Sequence, residues 1–259
     1  MTAKNNSCAQ LLTIPYYLTK ENKRSLLHML DLVKQHKKKA LLSLPIVAAL
    51  SYFGVKKIAD LNKKIINAPH LLQNPELPRG CEVTSLAMLL NFSGVYVDKM
   101  ELASQLHAVT FEENGLNGNM REGFVGDMYS LSNPGLGVYV EPIHHLANLY
   151  LPNQIVNLTG GEPHDLYNMI DQGIPVWVIV NDTFTALPEE QFETWFTNDG
   201  PMQVTYAEHS VLLTGYSQSY VYVNDPLHET PNRRINRKRF EEAWIQLDRQ
   251  ALSYNITTK

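Results

Sequence analysis

Two β-prone runs near the C-terminal end constrain the fold of this chain more than any other feature. Residues 209–216 and residues 220–224 are rich in Val, Leu and Tyr, and residues 217–219 separate them. Runs joined by so short a connection pair as an antiparallel hairpin. A hairpin centred on the connection places His209 opposite Asp225 at its open end, and a different turn geometry would move this register by one or two residues. Cross-strand Cβ atoms lie about 5 Å apart, so a hydrogen bond between the imidazole and the carboxylate is predicted.

A second constraint is a helix predicted to begin at Cys81. Gly80 ends a loop that contains two prolines, and Gly94 closes the apolar-periodic run that follows. The apolar residues lie at i, i+3, i+4 and i+7, which is the spacing of an amphipathic helix: Val83, Leu86, Ala87 and Leu90. Free N–H groups and the helix dipole at the first turn favour a thiolate at Cys81. The alternative for a lone cysteine is a small buried hydrophobe.

The segments between these two features predict a mixed domain. A helix is expected from Asp98, with Glu101 as its capping-box partner, and its apolar residues are expected inside: Met100, Leu102, Ala103 and Leu106. Residues 111–138 are expected to form a long loop, in which Asp127 is more simply explained by supporting the loop than by contacting substrate. Residues 163–172 are expected to form a helix, and the apolar residues 175–180 a central strand.

Composition limits the kinds of protein that this sequence can be. The 259 residues are 44% hydrophobic and 19% charged, which suits one domain of catalytic size with an N-terminal extension. A net charge of -4 and the lack of a nucleic-acid-binding motif argue against a nucleic-acid partner. The chain has two cysteines, Cys8 and Cys81, on opposite sides of a hydrophobic segment. We therefore expect no disulfide between them, and no cysteine or histidine spacing predicts a metal site.

That hydrophobic segment, residues 40–55, is uncharged and is bracketed by lysines. It is shorter than the roughly 20 residues of a spanning helix but suits a signal or anchor segment. The denser positive charge before it favours a cytoplasmic N-terminus and an extracytoplasmic C-terminal domain. Cleavage after Ser51 and translation from Met29 are both compatible with the pattern. The alternative is a buried hairpin in which a helix over residues 24–38 packs on this segment.

The predicted organisation has four parts. Residues 1–39 form a cytoplasmic extension, residues 40–55 the signal or anchor segment, residues 56–67 a linker helix or arm, and residues 68–259 the folded domain. The expected location is the cell membrane, with the domain outside the cytoplasm, or the exterior after signal cleavage.

Residues 68–259 resemble a papain-like cysteine peptidase, specifically family 39 of the cysteine peptidases and its bacteriocin-processing relatives. The matching stretches are QNPELPRGCEVTSLAMLLNFSGV, GDMY with NPGLGVYV, QGIPVWV, EHSVLLTGY and VYVNDPL. The resemblance implies an α+β fold in which a helical part that carries the cysteine packs on an antiparallel sheet that carries the histidine and the aspartate. The N-terminal third lies outside the resemblance.

The resemblance also implies residue roles. Cys81 is the nucleophile, His209 the general base and then acid, and Asp225 the residue that orients the imidazole. Gln73 supplies a side-chain donor to the oxyanion hole, although it stands eight residues before Cys81, a wider gap than papain-type enzymes usually show. No metal or organic cofactor is implied. Glu82 is left outside the catalytic set.

The expected activity is hydrolysis of peptide bonds in a peptide or protein substrate. Two alternatives remain: a peptidoglycan amidase or endopeptidase with the same chemistry, and a catalytically degenerate papain-like module that binds peptides at the membrane. Transporter-linked relatives cleave after double glycine, but the chain shows no transporter core, so the resemblance transfers chemistry better than substrate. Four aromatic residues could line a binding surface, although their spacing more often marks a core: Trp195, Tyr216, Tyr220 and Trp244.

Overall fold

The computed structural model describes residues 63–255, together with His28 and Asp31. The chain divides into two compact units, residues 1–55 and residues 56–259, and the elements below belong to the second. The predicted signal or anchor segment lies outside the described residues. Among the residues that are described, no helix is long and apolar enough to cross a membrane.

Five α-helices and thirteen β-strands make up the described part of this unit. The helices are α1 (Cys81–Phe92), α2 (Lys99–Gln105), α3 (Val140–Tyr150), α4 (Pro163–Asp171) and α5 (Arg237–Gln246). The first strands are β1 (Lys64–Ile65), β2 (Ala108–Val109), β3 (Glu112–Glu113), β4 (Leu116–Asn117), β5 (Phe124–Val125) and β6 (Ile155–Asn157). The later strands are β7 (Val176–Asn181), β8 (Glu193–Thr197), β9 (Gly200–Val204), β10 (Glu208–Tyr216), β11 (Tyr220–Asn224), β12 (Arg233–Asn236) and β13 (Ala251–Tyr254).

A seven-stranded antiparallel sheet organises the domain. Its order is β12-β11-β10-β7-β13-β6, and β1 also pairs with β10. Strand β7 is buried along its whole length, which explains why its sequence is continuously apolar rather than alternating. The predicted central strand is therefore confirmed.

Helix α1 packs directly on this sheet. Ten of its twelve residues are buried, so it is more deeply enclosed than a one-sided amphipathic helix. Ser85 Oγ donates to the Ser210 carbonyl on β10 at 3.1 Å, and Trp177 Nε1 on β7 donates to the Glu82 carbonyl at 3.0 Å. These buried bonds hold the first part of α1 against β10, which carries His209, and against its neighbour β7.

Gly80, which precedes α1, is required by close packing. A Cβ atom there would lie 2.5 Å from the Leu77 Cβ, a distance that real side chains do not tolerate. Gly94 ends the helix region with a φ of 93°, in the left-handed range that glycine adopts without strain. The predicted limits of this helix are confirmed.

The hairpin formed by β10 and β11 is confirmed, but its predicted register was wrong. Leu212 faces Asn224, two residues further along β11 than predicted. The Ser217 N–H donates to the Tyr220 carbonyl at 2.7 Å. This bond moves the centre of the turn past Ser217, and a local irregularity follows on β10.

Three other local expectations need correction. Asp98 caps α2 by accepting from the Met100 N–H at 2.7 Å, and Met100 itself is exposed rather than buried. Residues 111–138 contain three short strands rather than one continuous loop. Lys64–Ile65, expected in a linker helix or arm, pairs with β10 as strand β1.

Candidate active site

His209 and Asp225 form a buried pair at one end of the hairpin. His209 Nε2 lies 2.8 Å from Asp225 Oδ1, and the residues are only 2% and 1% exposed. The Leu227 N–H donates to the same carboxylate oxygen at 2.9 Å. Asp225 follows the last residue of β11, where the chain turns and the side chain can reach back toward β10. The predicted contact therefore forms despite the shifted register.

Arg233 completes the surroundings of Asp225. Its Nη1 atom lies 2.5 Å from Asp225 Oδ2. Burial opposes ionisation of Asp225, but the bonds from His209, Leu227 and Arg233 outweigh it and hold the pKa of Asp225 well below its usual range. Sequence analysis missed Arg233, because the basic run from residue 233 to residue 239 gives no sign of which side chain turns inward.

An aromatic ring covers the imidazole. The ring centroids of Phe184 and His209 lie 6.2 Å apart in an edge-to-face arrangement, and the guanidinium of Arg233 lies 5.0 Å from the Phe184 centroid. Phe184 is only 3% exposed. It therefore helps to exclude water from the imidazole.

Cys81 is the first residue of α1, as predicted, and it is a free thiol. Its Sγ atom donates to Glu82 Oε2 at 3.2 Å and lies close to the backbone N–H of Ser210. Ser210 directly follows His209, so the sulfur lies beside the strand that carries the imidazole. Within the described part of the chain, no hydrogen bond joins the thiol to His209.

The structure reverses the expected electrostatics of Cys81. Burial raises the pKa of the thiol well above its usual value, and the carboxyl groups of Glu82 and Glu208 raise it further. The Ser210 N–H opposes this shift but does not overcome it. The pKa of Cys81 is therefore raised rather than lowered, contrary to the expectation that the start of the helix favours a thiolate.

Glu82 and Glu208 are two converging carboxyl groups that sequence analysis did not place in the site. Glu82 is fully buried, and its Oε1 accepts from the Val138 N–H at 2.9 Å. A Cβ atom on Gly137 would lie 2.6 Å from Glu208 Oε2 and 2.8 Å from Glu82 Oε1. Both carboxyl groups therefore meet where residue 137 has no side chain.

Burial raises the pKa of both carboxyl groups, and Glu82 raises that of Glu208 further. The hydrogen bonds that Glu82 accepts lower its pKa and so offset part of the effect of burial. We infer that Glu208 holds a proton more readily than Glu82. In the sequence, the only indication that these two residues lie near the site is that Glu82 directly follows Cys81 and Glu208 directly precedes His209.

Gln73 lies in a segment that contacts the Asp225 loop. Its backbone N–H donates to the Pro226 carbonyl at 3.0 Å, and its side-chain Nε2 donates to the Pro78 carbonyl at 2.9 Å. The residue is buried, and its Oε1 atom has no hydrogen-bond partner. This places the amide in the turn that leads to Cys81, with one Nε2 hydrogen already used.

Asp127 supports its own loop. Its Oδ1 accepts from the Tyr129 N–H at 2.7 Å, and its Oδ2 accepts from Asn133 Nδ2 at 2.7 Å. Arg79, two residues before Cys81, donates to the Asp127 carbonyl at 3.2 Å. These contacts favour the structural explanation over contact with substrate.

Removing the charge of Glu82 should make Cys81 more reactive. In Glu82→Gln the Oε1 acceptor for Val138 remains, while the carboxylate that raises the pKa of the thiol is lost. We expect the pH profile of iodoacetamide alkylation to move to lower pH, with roughly tenfold faster alkylation near neutral pH. The measurement uses a Cys8→Ser background, so that Cys81 is the sole thiol.

The matched control for this experiment is Glu101→Gln, which removes an exposed carboxylate on α2. It should leave the alkylation profile unchanged. An unchanged profile in a folded Glu82→Gln variant would show that Glu82 does not set the protonation of Cys81.

The fold and the site together define a class of protein. A helix that begins at a cysteine packs on an antiparallel sheet that carries a buried histidine–aspartate pair, which is the papain-like α+β arrangement. A family model described as Peptidase_C39 like family matches residues 65–252. The chain therefore belongs to the Peptidase_C39-like family.

Two relatives support this assignment. The uncharacterized protein YvpB of Bacillus subtilis (strain 168) is 46% identical over 179 residues, which span 69% of this chain and 70% of that protein. A crystal structure of a Bacillus anthracis protein assigned to the C39-like peptidases matches with a TM-score of 0.74 and 48% identity. That match covers 76% of this chain and 99% of the other.

Proposed function

We propose that this protein is a cysteine peptidase that hydrolyses peptide bonds through Cys81, His209 and Asp225. The observation that carries the proposal is the buried 2.8 Å contact between His209 and Asp225 beside the helix that begins at Cys81. A hydrogen bond from Nε2 to Asp225 holds the imidazole in one orientation and stabilises the imidazolium form. This leaves Nδ1 as the nitrogen available to the thiol.

The proposed reaction begins from the neutral thiol. The Cys81 S–H turns from Glu82 to His209 Nδ1, which takes the proton as the sulfur attacks the substrate carbonyl carbon. The tetrahedral intermediate collapses as the C–N bond breaks, and Nδ1 gives its proton to the leaving amine. Water then attacks the thioester, His209 accepts its proton, and Cys81 regains it when the acid product leaves.

The oxyanion of the intermediate needs donors at the start of α1. The first N–H groups of a helix have no partner within the helix, so the Cys81 N–H is one proposed donor. The remaining Nε2 hydrogen of Gln73 is the other.

Hydrolysis of a peptide library by the full chain tests this function. Mass spectrometry should detect new peptide termini under reducing conditions, and prior alkylation with iodoacetamide should prevent them. The proposal would be contradicted if the untreated chain releases no new peptides although iodoacetamide alkylates its Cys81. Peptidoglycan fragments assayed in parallel distinguish the amidase alternative.

The best library substrate then tests Gln73. Gln73→Ala should lower kcat by about 10²–10³-fold with a smaller change in KM, because an oxyanion donor acts mainly in the transition state. If Gln73→Ala instead loses kcat/KM by the same factor through a raised KM alone, with unchanged kcat and thermal stability, Gln73 would be assigned to substrate binding.

Export through residues 40–55 stays a prediction from the sequence, and N-terminal sequencing of the mature protein tests it.

A further inference from the structure

We propose that Cys81, Glu82 and Glu208 form an inhibitory binding site for a divalent cation of the zinc type. One ligand atom from each residue, the Cys81 Sγ and one oxygen of each carboxyl group, lies within 4.8 Å of the other two. Neither the proposed catalytic cycle nor the family assignment uses the two carboxyl groups together. The site is proposed from their position around the nucleophile.

Glu208 supplies the observation that points to a ligand. Its Oε1 atom is buried and has no hydrogen-bond partner, and such a group is costly to leave unsatisfied. Its other oxygen lies over Gly137 together with Glu82 Oε1, where no side chain intervenes. Glu82 accepts from the Val138 N–H and from the Cys81 thiol, so Glu208 Oε1 is the carboxyl oxygen of this cluster that has no protein donor.

The donor set selects the class of cation. Thiolate is a soft ligand that zinc accepts readily, whereas magnesium and calcium prefer oxygen ligands throughout. Zinc binds sulfur at about 2.3 Å and carboxylate oxygen at about 2.0–2.2 Å in a tetrahedron. Ligand atoms of such a site lie roughly 3.3–3.8 Å apart, so side-chain movements of about 1 Å would close the present cluster. Water would take the fourth position.

Binding would change the state of the nucleophile. The thiol releases its proton to solvent as the sulfur–metal bond forms, and the cation offsets the repulsion among the sulfur and the two carboxylates. The bound sulfur is then unavailable to attack a carbonyl carbon or an alkylating reagent. The metal-bound form is therefore inactive, and chelation restores the free thiol.

Cadmium binding tests the site without relying on peptidase activity. Cd²⁺ resembles Zn²⁺ in its ligands, and its bond to a thiolate gives an ultraviolet charge-transfer band. In the full chain carrying Cys8→Ser, Cys81 is the sole thiol, so histidines elsewhere do not contribute to the band. We expect a band that saturates at one Cd²⁺ per chain, is displaced by Zn²⁺ and is absent in Cys81→Ala.

Glu208→Gln is the decisive variant. It should weaken Cd²⁺ binding by at least about tenfold, since even indirect partners of metal ligands contribute 10–100-fold. Glu208→Asp retains the charge, so its Cd²⁺ affinity should lie between those of the parent and Glu208→Gln. The control is Glu112→Gln, which removes an exposed carboxylate and should bind Cd²⁺ as tightly as the parent. An absent band, or a band with the same affinity in folded Glu208→Gln, would overturn the proposal.

Zinc protection of Cys81 from iodoacetamide gives a second readout. Protection should require at least about tenfold more Zn²⁺ in Glu208→Gln than in the parent, and equal protection in both would count against the site. Both readouts report the thiol directly. A chain that binds metal but cleaves no peptide would therefore retain this proposal and lose only the peptidase one.

Discussion

Replacement of Cys81 by alanine is expected to lower peptide hydrolysis by about 10⁴-fold or more, with the fold intact. Alanine removes the nucleophile and leaves no group that can form the thioester, while the helix start accepts it because the thiol is small and buried. Residual hydrolysis from the remaining donors is the most that should persist. The measurement is kcat/KM on the best library substrate, together with thermal unfolding of the variant.

His209→Ala provides the mechanistic comparison. Residues that act as one unit show non-additive losses, so the double variant Cys81→Ala/His209→Ala should be no slower than the slower single variant. Substantial hydrolysis by Cys81→Ala would place the chemistry elsewhere. A loss in the double variant equal to the product of the single losses would show that the two residues act independently.

Asp225→Ala is expected to reduce both stability and activity. The change leaves His209 and the Leu227 N–H without their common acceptor in a buried site. Each unsatisfied group costs about 1–3 kcal/mol, so we expect the free energy of unfolding to fall by about 2–6 kcal/mol. Without the carboxylate the imidazole loses its fixed orientation and its stabilised cation. We expect kcat to fall by about 10²–10⁴-fold.

Two controls separate these effects. Asp225→Asn keeps an acceptor for Leu227 but removes the charge, so it should lose less stability than alanine. Asp171→Ala removes a more exposed carboxylate that pairs with Lys64 at 2.6 Å, and solvent screening makes such a surface pair contribute little to stability. Equal stability of Asp225→Ala and Asp171→Ala would contradict a structural role for the buried pair.

The difference in unfolding free energy between wild type and Asp225→Ala should also depend on pH. Because the pKa of Asp225 is lower in the folded protein than its value near 3.9 in the unfolded chain, its contribution is complete above that value. The contribution is lost as pH falls toward the folded pKa. Chemical unfolding should therefore show a constant difference between wild type and Asp225→Ala from about pH 5 to about pH 8, and a shrinking one below about pH 4.

Much of the candidate site could be predicted because its information is local. The Pro/Gly loop and the apolar spacing place Cys81 at a helix start, and the short connection between two apolar runs makes β10 and β11 a hairpin. The contact of His209 with Asp225 was predicted from a wrong register. It forms because Asp225 follows the last residue of its strand, where the side chain can reach back.

Other parts of the site depend on contacts between distant segments. Arg233 reaches Asp225 through the order of the sheet, and Glu208 meets Glu82 only because α1 packs on β10. Separations along the chain carry no direct record of such contacts. The pKa of a thiol depends on burial and nearby charge as well as on the helix start.

The sequence by itself determined where α1 begins, which strands form the hairpin, and which residue types stand at their ends, because periodicity, turn chemistry and capping act over a few residues. Only the tertiary structure decided the register of the hairpin, the third partner of Asp225 and the raised pKa of Cys81. Those outcomes depend on desolvation and on charges brought together across the sheet. The same packing that encloses the Cys81 thiol also places two carboxyl groups beside it.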